Sequence, residues 1–123
     1  MYDYGNNLEM KKYIDIDDGL NRIRGNKKLY LKMLKMILIN EEFDKIKEYV
    51  KAADYDGAEK SAHSIKGMAG NLSLPRLFEQ SVELMRQFKT DAPDLNAAEE
   101  FNDIWTITKS YIEQVIGEWE TQI

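Results

Sequence analysis

Cysteine is absent from the 123 residues, so disulfides, thiolate metal sites and thiol nucleophiles are excluded. Proline occurs only twice, at Pro75 and Pro93, and the period-two alternation of a half-buried strand is missing. No apolar run approaches the ~18 residues needed to span a bilayer. The opening Met1-Tyr2-Asp3-Tyr4-Gly5 lacks both the basic start and the apolar core of a signal peptide, so a cytoplasmic location and no membrane partner are expected. Positive charge is in deficit, with 17 Lys and Arg against 22 Asp and Glu. The net charge of −5 argues against nucleic-acid binding, which needs clustered cations. There is no Gly-rich phosphate loop and no nucleotide-binding motif. Histidine occurs once, at position 63.

What is present points to helices. Hydrophobic residues make up 43% and charged residues 32%, the balance of one globular domain with a modest core. Five helical segments are predicted. The first runs from about Asp17 to Arg24, capped by Asp17-Asp18 and stopped by Gly25. The second runs from Lys27 to about Ala53, capped by Asn26 and bent near Asn40. The third follows Tyr55-Asp56-Gly57, with Asp56 as its cap, and ends near Leu72. The fourth opens at Ser73-Leu74-Pro75, with proline in the first turn, and reaches about Lys89. It should bury Leu77, Val82 or Ser81, Leu84 or Met85, and Phe88. The fifth is capped by Asp94 or Asn96, with Asn96-x-x-Glu99 in the form of a capping box. Its apolar spacing runs through Phe101, Ile104, Trp105, Thr108, Ile112, Val115 and Trp119. Short connections favour antiparallel neighbours. The expected fold is an all-α, antiparallel up-down four-helix bundle with a short additional N-terminal helix.

The third segment carries the chemistry. Ala58, Ala62, Ile65, Ala69 and Leu72 form its buried seam. His63 lies one residue off the seam, about 100° around the helix, at its edge or outside it. Glu59, Lys66 and Gly67 are one turn away and Gly70 two turns on. Glycine inside a helix costs roughly 1 kcal/mol relative to alanine, so two on the histidine's face suggest that a large object approaches there.

The run Ala62-His63-Ser64-Ile65-Lys66-Gly67-Met68-Ala69-Gly70-Asn71-Leu72 resembles the signature of histidine-containing phosphotransfer (HPt) domains, loosely A-H-x-[LI]-K-G-x-A-x-N-[LI]-G. The histidine, lysine, first glycine and asparagine fit. Ser73-Leu74 departs from the usual Gly-Ala, in a turn that only joins two helices. The stretches Ile16 to Leu20 and Gly25 to Tyr30 look like the family's lead-in. The expected division is therefore 1–13 as N-terminal lead-in and 14–121 as the HPt bundle.

The resemblance implies a phosphorelay protein. His63 would take a phosphoryl group from a receiver-domain aspartate and pass it to another receiver. Those partners would be receiver domains of a hybrid sensor histidine kinase and/or a response regulator. The chain would be a carrier without its own kinase or nucleotide site, and it would need no cofactor or metal of its own. Mg²⁺ would come with the receiver. Phosphoryl transfer is mostly positioning and charge stabilisation. Lys66 can offset the phosphoryl charge, Gly67 opens the approach, and Gly70 does so more weakly. Glu59 could orient the ring or face the partner. Asn71 is assigned to hydrogen bonding at the helix end. The family often places a glutamine on the fourth helix near the histidine. Here that register falls near Met85, with Gln87 close by.

Residues 29–39 are apolar at nine of eleven positions. Met33, Met36 and Ile37 are candidates for a partner-docking patch there, methionine suiting a surface that must accept more than one partner. Periodicity does not say which face of such a run is free. A monomer is expected, and the Met1 start suggests a free-standing protein. A carboxylate-bridged di-metal bundle is rejected, because it needs two Glu-x-x-His pairs. A histidine-kinase dimerisation fragment is disfavoured, because Ser64 stands where an acidic residue usually follows the histidine. The alternative kept is a helical-bundle adaptor that binds a signalling partner without being phosphorylated.

Overall fold

The computed structural model describes residues 7–121, and every regular element among them is a helix. There are seven: α1 (Leu8–Tyr13), α2 (Ile16–Arg22), α3 (Lys27–Leu38), α4 (Glu42–Lys51), α5 (Tyr55–Leu72), α6 (Pro75–Phe88) and α7 (Asn96–Thr121).

Two differences from the expected five segments have clear causes. The 27–53 segment is two helices. The first ends at Leu38 with Ile39 as its C-cap, and the side-chain oxygen of Asn40 accepts the Glu42 N–H at 2.9 Å where the second begins. α1 was not foreseen. At six residues it is too short to hold by propensity and depends on burying Met10 and Tyr13. The expected lead-in of residues 1–13 thus contains a helix packed into the same core, against α6 and α7.

Two caps differ from expectation, each lying two residues earlier. Asp15, not Asp17-Asp18, caps α2 by accepting the Asp18 N–H at 3.2 Å. Asp54, not Asp56, caps α5 by accepting the Gly57 N–H at 3.0 Å. At the start of α7, of the two expected candidates it is Asp94 that accepts a first-turn N–H, that of Asn96 at 3.0 Å, and Asn96 is the first helical residue rather than the start of a capping box. Asn26 caps α3 as expected, accepting the Leu29 N–H.

The long helices wrap one core. α5 packs on α4 and α6, and α6 on α7. Phe43 of α4 stacks on Trp105 of α7, ring centroids 3.8 Å apart, which closes the remaining side. All seven apolar-spaced positions predicted for α7 are buried. On α6 the core residues are Leu77, Ser81, Leu84 and Phe88, while Val82 is exposed and Met85 only half-buried.

One end of the bundle is fastened by polar groups around the α5–α6 turn. Ser73 ends α5 in the left-handed region, at φ 57°. Its hydroxyl donates to the Asp18 carboxylate, and Arg22 Nε donates to Ser73 Oγ and to Asp18 Oδ2, each at 3.0 Å. The Ser73 hydroxyl, then Arg22, hold the Asp18 carboxyl below the usual carboxylate range. Tyr30 reaches the same end and donates to the Leu72 carbonyl at 2.6 Å. A Cβ on Gly19 would lie 2.6 Å from the Tyr30 ring, so that position has no room for a side chain.

Candidate functional site

α5 presents its seam of Ala58, Ala62, Ile65, Ala69 and Leu72 to the core, none more than 3% exposed. That orientation turns His63 outward, and its side chain is exposed. Lys66, three residues on, is half-buried. Helical side chains lean toward the N-terminus, so Lys66 leans back over the turn that carries His63. Gly67 follows on the same face, and a Cβ there would meet nothing within 4 Å. The structure therefore brings His63, Lys66 and Gly67 together on one open surface. Gly70 is different, since a Cβ there would rest 3.5 Å from Phe78, an ordinary contact.

The flank toward α6 is read from two contacts. Gly70 faces Phe78, and Glu59 pairs with Lys89, its Oε1 3.8 Å from Lys89 Nζ. Stepping along the antiparallel helices between these pairs sets Met85 abreast of His63 and Val82 abreast of Lys66. Phe78 and Val82 are both exposed, 38% and 43%. Sequence reasoning missed this apolar strip. The available signal was that Phe78 and Val82, four residues apart, lie off the Leu77-Ser81-Leu84-Phe88 line.

The flank toward α3 is a groove of about 180 Å³ bordered by Met33, Met36, Asn40, Met68 and Asn71. Met36 is exposed and Met33 half-buried, so both stand at the surface expected of them. Ile37 does not. It is 2% exposed and packs into the core, so it is withdrawn from the candidate docking patch. Ile39, at the break before α4, is 83% exposed and was not singled out.

Two other expected roles change. The Glu59 carboxylate is engaged by Lys89, which argues against its orienting the His63 ring. Asn71 is exposed at the groove. The carbonyls at the end of α5 are taken instead by the Ser73 and Leu74 N–H groups and by Tyr30.

Among the described residues no group of three His, Cys, Asp or Glu is placed to hold a metal ion. Among the same residues no helix is long and apolar enough to cross a membrane.

A family model described as the Hpt domain matches residues 38–120. The chain belongs to the Hpt domain family. Comparison with curated proteins and with solved structures gave no match. The matched segment takes in α4 to α7, including all of the His63 surface, and begins at the last residue of α3. The lead-in resemblance at residues 16–30 lies outside it. Hpt domains are phosphocarrier modules of two-component phosphorelays, and they interact with receiver domains.

Proposed function

We propose that His63 is the phosphoacceptor of this Hpt domain. A ring nitrogen attacks the phosphorus of a receiver's aspartyl phosphate. The N–P bond forms, the acyl O–P bond breaks, and the aspartate carboxylate leaves. The reverse reaction on a second receiver discharges the carrier. One observation carries this reading: the lone exposed imidazole has a half-buried lysine one turn on and an open glycine beside that.

Each residue has a definite task. Lys66 offsets the roughly two negative charges of the phosphoryl group. Gly67 leaves the receiver's active-site edge room to approach, and Gly70 widens that opening toward Phe78. Met33 and Met36 line the docking surface on one flank, and Phe78 and Val82 add apolar surface on the other. The acyl phosphate and its Mg²⁺ are the receiver's, supplied by a hybrid kinase or a response regulator. The chain acts as a cytoplasmic monomer, carrying phosphate without kinase chemistry of its own. The up-down four-helix topology, with α3 and α4 sharing one position, is supported by the short connections and the contacts linking α4, α5, α6 and α7.

The test is incubation with a phosphorylated receiver domain and Mg²⁺. Acid-labile, base-stable label on the wild type and none on folded His63→Gln is the expected result. Equal labelling of both proteins would refute the assignment.

A further inference from the structure

The Glu59–Lys89 pair sits at the edge of the His63 surface and has no task in the scheme above. Glu59 is one turn N-terminal to His63. Because helical side chains lean toward the N-terminus, the imidazole covers the turn that carries Glu59 and Lys60. A phosphoryl group on the ring would place about two negative charges close to the Glu59 carboxylate. Like charges at this spacing repel.

Lys89 is the cation that the structure pairs with that carboxylate. Its side chain is 62% exposed, and it is held at 3.8 Å from a single carboxylate oxygen. Exposed pairs of this kind contribute little and break easily. Its flexible stem suits an ammonium that changes partner. The neighbouring Arg86 is committed elsewhere, with Nη2 2.6 Å from Glu83 Oε1. Met85, abreast of His63, has a thioether and no N–H or O–H to donate. The phosphoryl oxygens are the stronger acceptors, since they carry more charge than the carboxylate.

We infer that Lys89 is a phosphoryl-binding residue held in reserve: it rests on Glu59 while His63 is free and moves to the phosphoryl group once His63 carries one. The phosphoryl group then lies between Lys66 of α5 and Lys89 at the C-terminal end of α6. Glu59 is a positioning residue that keeps Lys89 at the site without occupying the ring. This inference rests on His63 being the phosphoacceptor.

The test is a phosphorus NMR titration of protein phosphorylated from phosphoramidate and freed of the donor. A cation at the phosphoryl group favours its dianion, so the second ionisation of the phosphoryl group falls at lower pH when Lys89 is present. Lys89→Gln should raise that midpoint by about 0.5 unit, the size expected for one charge at a few ångströms in a water-like medium. Lys89→Arg should restore the wild-type midpoint. Glu59→Gln, which frees Lys89 and removes the competing carboxylate, should lower it further. Identical midpoints for wild type and Lys89→Gln would overturn the role of Lys89 alone. A wild type that takes no phosphoryl group would overturn the phosphoacceptor reading and this inference with it. Lys89 is exposed just beyond the last residue of α6, so its replacement leaves the core intact.

Discussion

Gly67→Ala should make the protein more stable and a larger residue there should make it a worse carrier. Gly67 lies inside α5, and a Cβ built on it meets no neighbouring atom within 4 Å. Alanine therefore adds no clash and removes the backbone freedom that glycine gives the unfolded chain. The gain expected is about 0.5–1 kcal/mol. Gly117 in α7 is an internal control, because it is also helical and also open. Gly117→Ala should gain the same amount. The two positions part company in function. Gly67 adjoins His63 and Lys66, so Gly67→Leu fills the space a receiver must enter and should slow transfer at least tenfold, about 1.4 kcal/mol of barrier. Gly117→Leu, on another helix, should transfer at the wild-type rate. Urea unfolding gives the stabilities, and quenched-time labelling by a phosphorylated receiver gives the rates. Wild-type transfer by Gly67→Leu would refute the idea that the glycine is kept for access. So would loss of stability in Gly67→Ala.

Four further outcomes concern the polar fastening and the docking surface. Ser73→Ala should cost about 1–2 kcal/mol through loss of the hydroxyl shared with Asp18 and Arg22, while Ser73→Gly should recover roughly 1 kcal/mol of that by relieving the left-handed backbone; urea midpoints of the three proteins check the order. Asp18 has a depressed folded pKa, so its contribution is present above the unfolded value near 3.9 and is lost as pH falls through the folded one; the stability gap between wild type and Asp18→Asn should close on acidification below about pH 4. Tyr30→Phe should cost about 1–2 kcal/mol, measured by thermal unfolding, because the buried Leu72 carbonyl loses its donor. Met36→Ala should weaken receiver binding severalfold with little change in stability, whereas Ile37→Ala should destabilise by about 2–4 kcal/mol, a contrast that calorimetry and a binding titration separate.

Much of the site was legible because one helix carries it. The spacing of Ala58 to Leu72 fixes which face of α5 is buried, and that alone turns His63, Lys66 and Gly67 outward together. α7 was legible for the same reason, its six apolar positions and Thr108 falling on a single face. Residues 29–39 were not. Nine apolar side chains in eleven leave no period to separate Ile37, which is buried, from Met36, which is not. The division at Asn40 depends on an Asn side chain choosing a backbone N–H two residues on, which competes with continuing the helix and leaves no mark on the hydrophobic pattern. α1 is too short to show a period and depends on the tertiary contacts of Met10 and Tyr13. The departure at Ser73 looked incidental in the sequence. In the fold it is a left-handed residue, of the kind glycine usually serves, with its hydroxyl tied to Asp18 and Arg22.

The most direct measurement is localisation of the phosphoryl group by mass spectrometry under basic conditions, after transfer from a phosphorylated receiver with Mg²⁺. The account predicts the modification on the peptide containing His63, with fragment ions assigning it to that residue alone. Modification at another residue, or labelling that persists in a folded His63→Gln protein, would contradict it.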